Sequence, residues 1–383
     1  MIVSEAIERG SKFCFFLPSF SGGGAEKTIV FLASAIARKG YPVDLVVSDS
    51  KGPWGGQVAP QVNVIDLKAG RLTYAVLPLS RYLRAAAPTA VLSALTHANL
   101  CLLAAVRIAR FNGRVLVSER NSLDHVRASA GVKSALKLSL IRRMYPKSDG
   151  VICVSDALSE QVRDMLGSSC TNVRTVYNPI DRQRIAALAS CAPPGDLAGP
   201  RSAIIVAVGR LSAQKDFPTL IRAFAMSERR KQAHLYILGE GPDRESLEKL
   251  AGELGVRDRV HLPGFVDNVY SILSRASLFV LSSRYEGMPN ALLEALACGC
   301  RVVSTRCPTG PEEILSGYPD VGALVPVGDA TAMAAAIDAA IDHAEVVNAD
   351  EVLRRFEPDT VIASYLAALL GAPDGSQIQE GTV

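Results

Sequence analysis

The stretch of this chain richest in chemistry is Ser282-Ser-Arg-Tyr-Glu-Gly-Met-Pro-Asn-Ala-Leu-Leu-Glu-Ala-Leu-Ala-Cys-Gly299. A strand is expected to end at Ser282 and a glycine-containing loop to follow, with Pro289 suited to the first turn of a helix. Glu286 then lies in the loop and Glu294 in the helix, eight positions later. The backbone of the turn Gly287, Met288, Pro289 and Asn290 can face an anion. Both carboxylates can accept hydrogen bonds from hydroxyls such as those of sugars. The bland alternative is an acidic loop residue and a surface glutamate. Glu294, however, falls in the apolar run Ala291–Ala297, where an unpartnered carboxylate is costly.

A second constellation is Val208-Gly-Arg-Leu-Ser-Ala-Gln-Lys-Asp-Phe217, a strand followed by a turn into a helix. Arg210 and Lys215 would lie together at the strand's carboxyl end, and two fixed cations with backbone amides suit a diphosphate better than a single carboxylate. Two solvated loop charges are the other reading. A third is Ser21-Gly-Gly-Gly-Ala-Glu-Lys27, directly after the first strand. Gly23 and Gly24 would let the backbone approach a ligand at a helix N-terminus, which favours phosphate. The run is not G-x-G-x-x-G, and a plain tight turn explains it equally well. His97 lies in an apolar segment, where a histidine is more often a satisfied core residue than a catalytic one.

These residues need elements to hold them. Phe13–Pro18, Val43–Val47, Ala90–Leu95, Val115–Ser118 and Gly150–Val154 read as strands, with helices such as Glu26–Lys39 and Lys133–Tyr145 between them. The alternation predicts a parallel sheet flanked by helices. It breaks at the Pro/Gly-rich stretch 192–200, which reads as a linker, and restarts with Ala203–Val208, His234–Leu238, Val260–Leu262, Leu278–Ser282 and Arg301–Ser304. Two doubly wound α/β domains in tandem are expected, with ligands beyond the carboxyl ends of the strands. The polar tail 372–383 reads as disordered. Ala90–Ala109 is apolar enough to imitate a membrane span, but Ser93, Thr96, His97, Asn99 and Arg107 interrupt it. A strand, a turn and a helix fit it better.

Length and charge sharpen this organisation. The chain has 383 residues, enough for two cores, and a formal net charge of +3 from 41 basic and 38 acidic residues. Residues 1–180 carry +10 and the remainder −7, so the first half is expected to meet something anionic. Arg127, Lys133, Lys137, Arg142, Arg143 and Lys147 are interleaved with apolar residues over 127–147, a basic amphipathic pattern suited to an anionic membrane surface, although a solvated helix face would look similar. No nucleic acid is expected, because aromatics are sparse there and no reader motif is present. The eight cysteines show no C-x-x-C and no histidine at ligand spacing, so a reduced, cytoplasmic protein without structural zinc is expected. The N-terminus is too acidic and polar for a secretory signal.

In this order and at these spacings, the motifs resemble those of the retaining family 4 glycosyltransferases of GT-B fold, which use nucleotide sugars. The likeness rests on Gly23–Glu26, Val176-Tyr-Asn-Pro-Ile-Asp181, Gly209-Arg-Leu-x-x-x-Lys215, Gly239-Glu-Gly-Pro242, Gly264-Phe-Val-x-Asn268 and Glu286-x7-Glu294. It implies two Rossmann-like domains facing across a cleft, an acceptor domain over 1–181 and a donor domain over 182–356. A closing helix over 357–371 would cross back to the first domain. Arg210 and Lys215 would hold the donor diphosphate, and Glu286 with the 287–290 turn the transferred sugar. Glu294 would bind the ribose, Gly23 and Gly24 would close on the diphosphate, and His97 would stand near the reaction centre. Ser118-Glu-Arg-Asn121 and Cys307-Pro-Thr-Gly-Pro-Glu-Glu-Ile-Leu315 resemble the bacterial enzymes that build lipid-linked glycans and surface polysaccharides, commonly from UDP-hexoses or UDP-N-acetylhexosamines. Many relatives carry His-Asp or His-Glu where this chain has Ser118-Glu119-Arg120; Glu119 and Arg120 are expected on the acceptor side.

The resemblance implies transfer with retention, by same-face attack of the acceptor hydroxyl. The expected partners are a nucleotide-sugar donor, a lipid-linked glycan acceptor and the inner face of the plasma membrane. There is no Asp-x-Asp, so no metal and no cofactor are expected. A paired-carboxylate glycosidase scheme fits worse, since both glutamates face the donor. A GT-B-shaped sugar-nucleotide epimerase and a non-catalytic sugar-nucleotide scaffold are the competing classes.

Overall fold

The computed structural model describes residues 10–21, 23–124, 126, 131–169, 172–194, 204–342 and 346–372. Most of the 192–200 linker, Arg127 and all but the first residue of the 372–383 tail lie outside the described residues. The chain divides into two compact units, one of Met1–Pro179 with Pro358–Val383, the other of Ile180–Glu357.

The first unit is built on a seven-stranded, wholly parallel sheet. Its strands are β1 (Phe13–Ser19), β2 (Val43–Asp49), β3 (Val62–Asp66), β4 (Ala90–Ala94), β5 (Arg114–Glu119), β6 (Gly150–Cys153) and β7 (Val173–Thr175), in the order β3-β2-β1-β4-β5-β6-β7. Phe15, Leu45 and Leu92 are fully enclosed by the helix Gly24–Arg38 and by the final helix, Pro358–Leu370. Val361, Ile362, Tyr365, Leu366 and Leu369 of that last helix belong to this core, so the end of the described chain completes its beginning. Ala90–Ala109 forms β4, a turn at Leu95 and the helix Thr96–Ala109, and no helix among the described residues is long and apolar enough to cross a membrane.

The second unit carries six parallel strands: β8 (Ile204–Val208), β9 (His234–Leu238), β10 (Val260–Gly264), β11 (Leu278–Leu281), β12 (Arg301–Thr305) and β13 (Gly322–Val325). Their order is β10-β9-β8-β11-β12-β13. Leu220, Phe224, Met333 and Ile337 pack one face of this sheet. In both units the chain winds one way from the first strand and then crosses to its other side, giving two Rossmann-like doubly wound sheets. The strand order reverses between β1 and β4 and between β8 and β11, and loops leaving those pairs form the crevice where such sheets bind ligands.

Three strands are absent from the sequence expectation: β3, β7 and β13. All three are edge strands. They pair on one side only and each holds a single buried residue, so they lack the continuous apolar run that marks a buried parallel strand.

Candidate active site

In the second unit, β8 and β11 are neighbours, so the two loops leaving their carboxyl ends lie side by side. The first runs through Gly209, Arg210 and Lys215, the second through Ser283 and Glu286. They are stitched together: Ser282 Oγ donates to the carbonyl of Lys215 (2.6 Å), Gln214 Nε2 to that of Tyr285 (2.9 Å), and the Arg284 N–H to that of Gln214 (2.8 Å). Asp216, in the left-handed region at φ 48°, turns the chain into the helix Phe217–Met226 and holds Arg284 Nε at 3.1 Å.

This stitching brings Lys215 Nζ within 2.6 Å of Glu286 Oε1, both side chains being largely buried. The lysine stem lies flat over Gly209, where a Cβ would stand 2.8 Å from Lys215 Cε. Such an ion pair neutralises two charges that would otherwise be expensive to enclose, and it leaves the ammonium two further donors for an incoming anion. Arg210 is exposed and its guanidinium makes no ion pair among the described residues. The Gly239-Glu-Gly-Pro242 segment has a supporting role. The Leu211 N–H donates to the Glu240 carbonyl (3.0 Å), and side chains at Gly239 or Gly241 would collide with the backbone of Gly209 and Leu211.

Glu286 opens the turn Gly287–Pro289, which leads into the helix Asn290–Ala297 with Pro289 at its cap. Gly287, Met288 and Pro289 are buried and Asn290 half-buried. Glu294 is buried midway along that helix, where Tyr270 donates its hydroxyl to Oε1 at 3.2 Å. The Cys307–Leu315 motif lies behind this turn. Thr309 Oγ1 donates to the Glu286 carbonyl, and Gly310, at φ 91°, lies against Pro289 and the Gly287 carbonyl. The Cys298 and Cys307 thiols are pushed up to about 12, first by burial and then by Glu294 and Glu286 respectively, so neither is poised to react. Among the described residues no group of three or more His, Cys, Asp and Glu could hold a metal ion.

In the first unit, Gly23 caps the helix Gly24–Arg38 and both Gly23 and Gly24 are exposed. The buried carboxylate of Glu26 folds back to accept the N–H of Gly23 as well as its own. Burial nevertheless raises its pKa. This is one half of a capping box. His97 stands exposed in the first turn of the helix after β4. Its pKa is lowered, chiefly by the protein packed around the ring and further by Lys137, which favours the neutral imidazole. The turn before it is strained: Leu95 adopts φ 79°, ψ 134°, a conformation that L side chains rarely take.

Glu119 and Arg120 do not lie where an acceptor-facing pair was expected. Glu119 is 1% exposed at the end of β5; it accepts the hydroxyl of Tyr145, that of Thr96 at 3.1 Å and the amide of Asn99 at 3.4 Å. Burial raises its pKa against those hydrogen bonds and the charge of Lys137. Arg120 is 8% exposed and donates to Asn178 Oδ1 and to the hydroxyl of Tyr365, each at 2.8 Å. Asn178 belongs to the Val176–Asp181 motif, which explains that segment structurally. Glu119 therefore acts from beneath, holding Thr96 and Asn99 on either side of His97. Tyr270, Tyr145 and Asn99 carry no sequence signal of such roles; Ser283 and Thr309 at least lie within recognisable motifs.

Comparison with known proteins places this arrangement. Residues 202–343 match the family model described as "Glycosyl transferases group 1", and residues 22–184 match "Glycosyltransferase Family 4". The lipopolysaccharide core biosynthesis glycosyltransferase LpsD of Rhizobium meliloti is 31% identical over 260 residues, covering 63% of this chain and 72% of LpsD. A Campylobacter jejuni enzyme, N-acetylgalactosamine-N,N'-diacetylbacillosaminyl-diphospho-undecaprenol 4-alpha-N-acetylgalactosaminyltransferase, is 28% identical over 331 residues, 84% of this chain and 88% of its own. Among solved structures, the lipopolysaccharide outer core galactosyltransferase WaaB in its apo form superposes with a TM-score of 0.69 at 21% identity, covering 94% of this chain and 99% of WaaB. HepE of Anabaena in complex with UDP-glucose gives 0.75 at 19% identity, over 94% and 99%. The two model matches and the LpsD likeness carry the assignment: this chain is a glycosyltransferase and belongs to family 4, with the GT-B architecture of its structural neighbours.

Proposed function

We propose that the protein transfers a hexose or N-acetylhexosamine, with retention, from a UDP-sugar to a lipid-diphosphate-linked glycan in the synthesis of a bacterial surface polysaccharide. The observation that carries this reading is the Lys215–Glu286 pair at the carboxyl ends of β8 and β11, with Arg210 on the same loop. A cation pair for a diphosphate and a carboxylate for sugar hydroxyls stand where such a sheet takes its ligand. In the proposed step the acceptor oxygen bonds to the sugar's anomeric carbon as the bond to the diphosphate breaks on the same face. The diphosphate leaves with the electron pair and takes up the acceptor's proton. Arg210 and Lys215 stabilise the charge that develops on it, and preorganised charges of this kind are commonly the largest single contribution to catalysis. Glu294, with Tyr270 behind it, is assigned to the ribose, Gly23 and Gly24 to the diphosphate from the first unit, and neutral His97 to the reaction centre. No metal or cofactor step is proposed, so activity should survive a chelator. UDP as the carrier is supported by the Anabaena neighbour, and the acceptor class by the Campylobacter and Rhizobium relatives.

Attachment to the inner face of the plasma membrane is part of the same proposal. On the helix Val132–Met144 the apolar side chains of Val132 (85% exposed), Leu136 (59%) and Leu140 (37%) point outward, while only Ile141 is buried. Lys133, Arg142, Arg143 and Lys147 are exposed around them. An apolar stripe rimmed by cations suits an anionic bilayer bearing the acceptor.

A thermal-shift panel of UDP-, GDP- and ADP-sugars, followed by product analysis with the stabilising donor, tests the function. Release of nucleoside diphosphate with a glycosylated lipid is the expected outcome. Inversion at a sugar carbon without transfer would mark an epimerase; binding without consumption would mark a scaffold.

A further inference from the structure

We propose that Ser283 and Thr309 are positioning residues that give the two oxygens of Glu286 separate tasks. This rests on the reading that Glu286 meets the transferred sugar. Ser283 is fully buried and cannot touch a ligand, yet its Oγ donates to Glu286 Oε1 at 2.6 Å. Lys215 Nζ approaches the same oxygen, also at 2.6 Å. Oε1 is thus engaged from two sides by charge-assisted bonds, the strong class of hydrogen bond. Oε2 makes no hydrogen bond among the described residues and is not enclosed, because the buried side-chain atoms without a partner there are Ser48 Oγ, Ser118 Oγ and Arg120 Nε. One oxygen anchors the side chain; the other is left for the sugar.

The backbone is held with equal care. Thr305 Oγ1, at the end of β12, donates to the Ser283 carbonyl at 2.6 Å, and Thr309 Oγ1 donates to the Glu286 carbonyl. Both ends of the four-residue turn Ser283–Glu286 are therefore tied by threonine hydroxyls from the neighbouring strand and the loop after it. Glu286 would otherwise be free to follow Lys215 toward an incoming diphosphate. With Ser283 and Thr309 in place, the lysine can turn its remaining donors to the diphosphate while Oε2 keeps its position. The signature glutamate is thus a held group, and the Cys307–Leu315 motif includes part of what holds it.

The test compares Ser283→Ala, Thr309→Val and Thr309→Ser with the wild-type enzyme, using the donor it turns over and the matching free nucleoside diphosphate. Loss of one hydrogen bond to a charged group should lower kcat about ten- to a hundredfold in Ser283→Ala. Thr309→Val should fall in the same direction and Thr309→Ser should recover. The Kd for the free nucleoside diphosphate should stay at the wild-type value in all three, because no sugar is present to be misplaced. Unchanged kcat in both Ser283→Ala and Thr309→Val would overturn the proposal. So would parallel losses of kcat, nucleoside diphosphate affinity and Tm, which would make the two residues merely structural. A wild-type protein that consumed no nucleotide sugar would instead overturn the functional reading beneath, and this inference with it.

Discussion

Gly310 lies so close to Pro289 that a Cβ at position 310 would stand 2.5 Å from the proline Cδ. It also sits at φ 91°, where an L residue is strained. Gly310→Ala should therefore cost about 1–3 kcal/mol in stability. It should also push the Gly287–Pro289 turn forward and shrink the thermal shift given by the donor. Chemical denaturation with and without donor measures both; wild-type values for the two would show that the turn is not braced from behind.

The two cations of the first loop should behave differently. Arg210 is exposed and makes no ion pair among the described residues, so Arg210→Ala should change stability by no more than about 0.5 kcal/mol while lowering turnover about a hundred- to a thousandfold. Lys215→Ala removes the same kind of stabilisation but also leaves the largely buried Glu286 without its cation, costing a further ~3–5 kcal/mol of stability. Adding Glu286→Gln to Lys215→Ala should restore much of that stability and none of the turnover. Equal Tm values for Arg210→Ala and Lys215→Ala would contradict the buried pair.

Glu119 should give stability a pH dependence of a particular sign. Its folded pKa is raised by burial, so between the ordinary carboxylate value and the folded one the native state holds a proton that the unfolded state has lost. Stability from this group is complete at low pH and falls as pH rises through that window. Glu119→Gln removes the titration and should flatten the slope. Urea midpoints at pH 5 and pH 7 provide the comparison, and a slope unchanged by the substitution would show that Glu119 is already ionised at the lower pH. Tyr145→Phe should act in the opposite sense, destabilising by roughly 1.5–3 kcal/mol at pH 7 by taking a donor from the carboxylate.

The exposed stripe on Val132–Met144 predicts loss of binding without loss of fold. Leu136→Gln with Leu140→Gln should leave Tm near wild type, since both side chains are outside the core. It should weaken flotation with anionic vesicles by roughly 1–3 kcal/mol for each leucine that enters the bilayer. Wild-type binding should itself fall with added salt; flotation that ignores both salt and substitution would remove this helix from the membrane reading.

Much of this was legible in the chain. Continuous apolar runs such as Phe13–Leu17 and Leu278–Leu281 mark interior parallel strands, and the glycines, cations and glutamates stand just beyond their ends. The edge strands β3, β7 and β13 were not legible, because stretches such as Val-Asn-Val-Ile-Asp over β3 and Val-Arg-Thr over β7 bury only one residue each. Nor was the meeting of Lys215 with Glu286. It depends on β11 pairing with β8 while β9 and β10 lie on β8's other side, a matter of strand order rather than of local pattern. Glu119 and Arg120 misled for a related reason. Two charges at a strand end read as surface residues, and the groups that allow their burial, Tyr145, Asn178 and Tyr365, stand far off in sequence.

The final helix carries a consequence for how the molecule is made. Tyr365 and its neighbours fill the core of the first unit, and Arg114 Nε bonds the Ala368 carbonyl at 2.8 Å. Synthesis from the N-terminus lets domains close as they emerge, yet this one waits. All seven of its strands leave the ribosome before the second unit is begun, but the helix that seals them comes after that unit is finished. The second unit can mature first, and the first must persist with an open apolar flank until residues 358–370 arrive. A chaperone would meet this chain at that flank, and a stop codon shortly before Pro358 would leave the flank permanently bare.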